Sequence, residues 1–288
     1  MNPQKGAPDS ERTIPAIQFE RVSFSYTASS GTATALRDVS LTIQNGEKVV
    51  LLGANGCGKS SLLKIMNGLA HPTSGSIRVY GEEVTEQSLR DRQVAQRLRK
   101  RVGFIFQNSD AQLFSSTVRE EIAFGPLQMD LSPADIETRI NDVAGMLGIS
   151  KLLDRAPFHL SGGEKKKVAL ASVLVVNPSV LLLDEPTNGL DPRSQRWLVD
   201  LIVELNRAGK TIITATHDLD IVPEIADRVF VMSEDHTLAA SGPANEILSD
   251  LDMLLKVNLI HEHAHRHGNL IHSHPHHHGG DHDHTHEH

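Results

Sequence analysis

The segment Gly53-Ala54-Asn55-Gly56-Cys57-Gly58-Lys59-Ser60 joins glycines to a lysine and a hydroxyl in the spacing G-x-x-x-x-G-K-[ST]. Glycines let the backbone turn so that its N–H groups converge on one point. A helix opening at the lysine adds its positive end, so the segment is suited to cradling phosphate oxygens. Lys59 would pair with the β- and γ-phosphates, and the hydroxyl of Ser60, followed by Ser61, would bind Mg²⁺. The chemistry expected here is binding of a nucleoside triphosphate with magnesium. A chance glycine turn is the alternative reading, and the apolar strand before the loop and the helix after it argue against that.

A second constellation is Val180-Leu181-Leu182-Leu183-Asp184-Glu185. An apolar strand that ends in adjacent carboxylates is costly unless a cation neutralises them. Asp184 is expected on the magnesium ion, and Glu185 beside it as the general base that polarises an attacking water. Cys57 stands next to a helix N-terminus, an environment that can activate a thiol.

Leu160-Ser161-Gly162-Gly163-Glu164 resembles the signature motif of the ATP-binding-cassette (ABC) family. Other features agree in order and spacing. Tyr26 stands at the position of the family's adenine-stacking aromatic. Gln107 ends the apolar run RVGFIFQ like the Q-loop glutamine. Gly189-Leu190-Asp191 is similar to the D-loop, and His217 after TIITAT to the switch histidine. Glu164 departs from the commoner Gln, and Ser61 from the commoner Thr. The resemblance runs from about Ile17 to Ile247. It implies an α/β P-loop NTPase fold with a mixed sheet core, an antiparallel β-subdomain and a helical signature subdomain near 108–176. It implies ATP and Mg²⁺ as ligands: Tyr26 on adenine, Gln107 reaching the metal and the attacking water, and His217 on the γ-phosphate. In this family Ser161, Gly162 and Gly163 face the γ-phosphate held by the other domain of a dimer. A second ATPase chain is therefore implied, and one complete motif set favours a homodimer.

The stretch from Asn108 to Phe114, followed by TVREEIAFGPLQM, resembles the ATPases of energy-coupling-factor importers, especially the cobalt/nickel type. Leu113, Phe114, Val118, Ile122 and Phe124 are candidates for a groove that receives a coupling helix of a membrane subunit. They are equally candidates for packing the helical subdomain. This resemblance implies integral-membrane coupling and substrate-binding subunits, and a peripheral location on the cytoplasmic face of the cell membrane. Zinc or a vitamin as the cargo, and a non-transport ABC ATPase with a metal-buffering tail, stay open as alternatives.

Of 17 histidines, 13 lie between His261 and His288: His261, His263, His265, His267, His272, His274, His276, His277, His278, His282, His284, His286 and His288. Imidazole suits Ni²⁺, Co²⁺, Zn²⁺ and Cu²⁺, and alternating His-x-His brings several ligands within reach of one ion. The expectation is a disordered tail with several weak, exchanging sites for a divalent transition metal, since so few apolar residues cannot build a core.

The elements that must position these residues follow from periodicity. AIQFERVSFSY and ALRDVSLTI alternate as half-exposed strands do, and KVVLLG, RVGFIFQ, SVLLLDEP, TIITATH and RVFVMS read as further strands. Helices are expected over Lys59–Leu69, Thr117–Met129, Pro133–Leu147, Gly162–Val176 and Pro192–Leu205. A basic helix is expected within Gln87–Arg101, and a last helical stretch from Gly242-Pro243 to near Asn258. Strands alternating with helices imply a mostly parallel sheet. The chain divides into a disordered leader at 1–15, a nucleotide-binding domain at 16–250, a short helix at 251–260 and the histidine-rich tail at 261–288. A net charge of −8 over 288 residues argues against a nucleic-acid surface. With the single cysteine Cys57, no intramolecular disulfide is possible. No apolar run approaches the ~18–20 residues needed to span a bilayer.

Overall fold

The computed structural model describes residues 14–28, 31–129, 131–267 and 270–277. The expected leader lies largely outside the described residues, as do His278, His282, His284, His286 and His288.

The core is a six-stranded sheet in the order β10-β9-β3-β8-β7-β6. Its strands are β3 (Lys48–Leu52), β6 (Val102–Ile105), β7 (Val180–Asp184), β8 (Thr211–Thr216), β9 (Arg228–Met232) and β10 (Leu238–Pro243). Neighbours pair in parallel from β9 to β6, and β10 closes one edge antiparallel. The parallel strands read as unbroken apolar runs because both faces are covered, and alternate residues serve opposite cores. Val49, Leu51, Leu182 and Phe230 face one cluster; Val50, Leu52, Leu183 and Val231 face the other.

A four-stranded antiparallel sheet covers the first face. It is built from β1 (Ile17–Ala28), β2 (Gly31–Ile43), β4 (Ser74–Val79) and β5 (Glu82–Glu83), in the order β2-β1-β4-β5. Between the sheets lies α1 (Lys59–Met66), which contributes Leu62, Leu63, Ile65 and Met66 to that cluster. This helix stops at Met66, three residues short of the expected Leu69, because Gly68 takes φ +76° and turns the chain. The second face carries α3 (Val118–Leu127), α4 (Pro133–Met146), α5 (Gly162–Leu174) and α6 (Pro192–Arg207), with the short α7 (Val222–Ile225). The strands β4, β5 and β10 did not stand out in the sequence, since each is short or has no apolar run.

The basic segment is not one helix. A 3₁₀ turn at Ser88–Arg90 is followed by α2 (Arg92–Arg101), because the Asp91 carboxylate accepts from the N–H groups of Gln93 and Val94 and starts a new helix. Its arginines make surface ion pairs: Arg90 with Glu86 at 3.0 Å in the open, and Arg101 with Glu82 at 3.0 Å at a half-buried position. Pairs of this kind contribute at most ~1 kcal/mol each, as a solvated face would. The last helical stretch is likewise split into α8 (Ala244–Ser249) and α9 (Leu251–Lys256), with the Asp250 side chain accepting from Met253 N at 3.0 Å. The helix expected over 251–260 therefore ends at Lys256. Asn258 adopts φ +60° and Ile260 already begins a strand.

Two strands, β11 (Ile260–His267) and β12 (Leu270–His277), form a separate antiparallel sheet through the histidine-rich segment. It is joined to neither of the larger sheets, in keeping with a composition that supplies no core. A two-stranded ribbon on its own is marginal in water. Among the described residues, no helix is long and apolar enough to cross a membrane.

Candidate active site

The site gathers at the carboxyl ends of β3, β7 and β8 and just beyond β6, where parallel α/β sheets leave a crevice. A cleft of about 500 Å³ is lined by Tyr26, Asn55, Gly56, Gly58, Lys59, Ser60, Ser61, Gln107 and Glu185. The loop Gly53–Ser60 links β3 directly to α1. Gly58 has φ +113°, and a Cβ there would lie 2.3 Å from the Ala35 carbonyl oxygen, so only glycine fits. Gly56, at φ +85°, instead borders open space on the cleft side, which leaves its backbone approachable by a phosphate.

Lys59 is buried, and its Nζ donates to the Gly53 carbonyl at 2.6 Å and the Ala54 carbonyl at 3.2 Å. Ser60 Oγ donates to Asp184 Oδ1 at 3.0 Å. Burial pushes the Asp184 carboxyl above its ordinary value, against the lowering effect of the Ser60 hydrogen bond. A half-buried hydroxyl–carboxylate pair of hard oxygen donors fits Mg²⁺, whose charge would offset the burial of Asp184. Tyr26 is half exposed at the cleft mouth. Its hydroxyl lies 3.2 Å from Ser61 Oγ, and its ring meets Phe24 edge-on. Cys57 lies on the inner side of the loop and is 1% exposed; burial pushes its thiol up. The expectation of an activated thiol is thus corrected: desolvation outweighs the helix end and Lys59.

Glu185 is buried, at φ +42°, a backbone region that costs a non-glycine residue about 1–3 kcal/mol. Its N–H donates to the Ala215 carbonyl at 2.8 Å, which pins this turn to the end of β8. The carboxylate lies between the Lys59 ammonium and the His217 imidazole. Oε1 is 3.4 Å from Lys59 Nζ, and Oε2 is 3.0 Å from His217 Nδ1. The imidazole contact is close but not aligned as a hydrogen bond, and Glu185 Oε1 is buried without a hydrogen-bond partner. An acceptor held in this state can take a proton from a water.

Gln107 borders the cleft just after β6, and several residues that sequence reasoning missed hold its loop. Gln112 Oε1 accepts from Phe106 N at 3.3 Å, while its Nε2 donates to the Ala169 carbonyl of α5 at 3.2 Å. Glu121 is buried and accepts from the N–H groups of Phe114 and Ser115 at 2.9 and 2.8 Å. Lys166, 3% exposed, donates to the Gln107 carbonyl at 3.4 Å. Burial lowers its ammonium to about 8, partly offset by Asp184. Lys166 carries a signal that was available: it lies four residues before Leu170 and eight before Leu174 on the buried stripe of α5. Thr34 and Ala35 of β2, also lining the cleft, carried none.

Ser161, Gly162 and Gly163 are not among the residues lining this cleft. They open α5, with Ser161 and Glu164 in a reciprocal capping box. Glu164 Oε2 accepts from Ser161 N at 2.9 Å and Ser161 Oγ at 2.8 Å, and these bonds hold its carboxyl below the ordinary value. The Glu at this position therefore serves as a helix cap. Asp191 caps α6 in the same way, accepting from the N–H groups of Arg193 and Ser194. The five apolar residues after Gln107 divide. Val118 and Ile122 are fully buried and Leu113 packs on the core. Phe114 and Phe124 are exposed and stack edge to face at 5.0 Å.

Residues 36–188 match the model of the ABC transporter family. A putative ABC transporter ATP-binding protein of Methanosarcina acetivorans is 50% identical over 94% of this chain and 98% of its own. The nickel import ATP-binding protein LarO of Lactiplantibacillus plantarum is 43% identical over 78% of this chain and 91% of its own. The solved structure of CbiO1 from Clostridium perfringens, described as part of the ABC transporter complex CbiONQ, has a TM-score of 0.72 and 38% identity. It covers 85% of this chain and 95% of its own.

Proposed function

This chain belongs to the ABC transporter family and is an ATPase coupled to transport, and from that premise we propose that it energises an energy-coupling-factor type importer of nickel or cobalt ions. The observation that carries the cargo is the likeness to a nickel import ATPase in a chain that also bears 13 histidines in its last 28 residues.

The geometry supports the following roles for the site residues. Backbone N–H groups from Gly53 to Ser60, with Lys59, take the phosphates, and the Tyr26 ring takes the adenine. Ser60, Asp184 and Gln107 are the donors for Mg²⁺, which when bound neutralises charge on the phosphate oxygens. Glu185 accepts the proton of the attacking water, its Oε1 having no hydrogen-bond partner, and His217, 3.0 Å from Glu185, orients the water and the γ-phosphate. Ser161, Gly162 and Gly163 stand apart from the cleft on the opening turn of α5, so they serve a site on a second copy of this chain. The exposed Phe114 and Phe124 pair, beside the loop that Gln112 and Glu121 brace after Gln107, is the face for an integral-membrane subunit. The chain then sits peripherally on the cytoplasmic face of the membrane, and its histidine tail holds the transported metal.

The test is uptake of radioactive Ni²⁺ and Co²⁺ by cells carrying this chain with its membrane subunits. Uptake that requires Lys59 and is outcompeted by unlabelled Ni²⁺ or Co²⁺ supports the proposal. ATP-dependent uptake of Zn²⁺ or a vitamin, with none of nickel or cobalt, refutes the cargo.

A further inference from the structure

Lys166 carries a buried charge with no part in holding phosphate or metal. It is 3% exposed on the inward face of α5, and an ammonium taken out of water is costly unless it is paired. Its Nζ donates to the Gln107 carbonyl at 3.4 Å, and the Asp184 carboxylate at the end of β7 attracts the charge. The next residue, Lys167, instead lies over the Trp197 ring at 4.6 Å. An apolar side chain of the same length would fill the place of Lys166 without the desolvation cost, so packing does not account for the charge.

The ammonium is one of two grips that α5 has on the segment after β6. Lys166 takes the carbonyl of Gln107. Three residues further along, the Ala169 carbonyl accepts from Gln112 Nε2 at 3.2 Å. Positions three apart on a helix lie on one face, so both grips come from the same side of α5. Gln112 Oε1 accepts in turn from Phe106 N at 3.3 Å, and a 3₁₀ turn at Ser109–Ala111 joins the two ends. Residues 106–112 thus form a short loop closed on itself and bound at each end to α5. Gln107 lines the cleft with Lys59, Ser60 and Glu185. Holding its carbonyl holds the peptide plane, and that restricts the direction in which its side chain leaves the backbone. Ser161 precedes the first turn of the same helix, five residues before Lys166.

We propose that Lys166 is a positioning residue for ATP hydrolysis: its ammonium holds the Gln107 backbone so that the side chain stays at the metal end of the cleft, and with Gln112 it makes the Gln107 loop and the Ser161 end of α5 move as one body. The inference rests on the reading of this cleft as the ATP site. A helix of 13 residues is a rigid element, so a displacement of the loop is carried through both grips to Ser161, Gly162 and Gly163. Removing the charge frees the loop and leaves the phosphate loop, which Lys166 does not touch, as it was.

The experiment compares Lys166→Met with the parent full chain in two ways: by hydrogen exchange, free of nucleotide and metal, and by ATP turnover with the membrane subunits. Exchange at the amides of residues 107–112 should be about 10-fold faster, as loss of one hydrogen bond to a charged group allows, while the amides of β7 and β8 keep the parent's rates. The kcat should fall about 10-fold or more with the KM for MgATP within about 2-fold, since binding by the phosphate loop persists and only positioning is lost. Gln112→Glu keeps the acceptor for Phe106 N but cannot donate to the Ala169 carbonyl, and it should reproduce both effects. Parent exchange rates at 107–112, or a parent kcat in either variant, would overturn the proposal. So would faster exchange spread over β7 and β8, the mark of a side chain that only packs. Failure of the ATP-site reading shows separately, as MgATP affinity that survives Lys59→Ala.

Discussion

Replacing Lys166 by methionine keeps the length of the side chain and removes its charge. The ammonium is lowered from 10.5 to about 8, mainly by burial. At about 1.4 kcal/mol per pH unit, that shift corresponds to a folding penalty of about 3 kcal/mol for carrying the charge inside. Below pH 8 both folded and unfolded chains hold the proton, and the penalty is complete. Between about 8 and 10.5 the unfolded chain keeps the proton that the folded chain has released, so stability gained from this group rises with pH across that window. The methionine variant has no such rise. It loses the 3.4 Å bond to the Gln107 carbonyl, worth about 1 kcal/mol. Near pH 7 the variant is therefore expected to be more stable than the parent by about 2 kcal/mol, and near pH 10.5 slightly less stable. Urea unfolding of both chains at several pH values measures the difference, and every other titrating group cancels in the subtraction. Parallel pH profiles would refute the reasoning, because a lysine with an ordinary ammonium gives no pH-dependent difference in this range.

Other perturbations address the site directly. Gly58→Ala forces a side chain onto φ +113° and against the Ala35 carbonyl; ATP affinity, measured with a fluorescent analogue, should fall about 100-fold, the equivalent of ~3 kcal/mol of strain. Glu185→Gln should cut ATP turnover about 100-fold or more while ATP binding persists, and normal turnover would remove Glu185 as the base. Lys59→Ala should weaken ATP binding itself, so undiminished affinity would count against the loop assignment. Glu121→Ala strands the part-buried N–H groups of Phe114 and Ser115; at up to about 1–3 kcal/mol for each donor left unmet, urea unfolding should register a loss of about 2–6 kcal/mol at most. Glu121→Gln, which retains an acceptor oxygen, should recover part of it.

The local chemistry of this chain is legible in its residues because each motif is contiguous. The loop from Gly53 to Ser60 needs only its own backbone and the strand and helix beside it. The run from Val180 to Asp184 announces a doubly covered strand by being apolar throughout. The Gly162–Leu174 and Pro192–Arg207 helices begin at their capping residues Ser161 and Asp191, as local hydrogen bonding dictates. Boundaries were lost where one side chain overrode a longer pattern, as Asp91 and Asp250 did by starting new helices.

What the sequence by itself determined was the phosphate loop, its metal-binding hydroxyl and carboxylate, and the family to which they belong. Only the tertiary structure decided the relations between segments distant along the chain. It set Glu185 between Lys59 and His217, buried one lysine of three against the Gln107 carbonyl, and turned Cys57 away from the cleft. It held the signature serine and glycines away from the loop whose phosphate chemistry they resemble. These are distances across strands and helices, fixed by which faces bury apolar surface together, and a linear order of residues does not carry them.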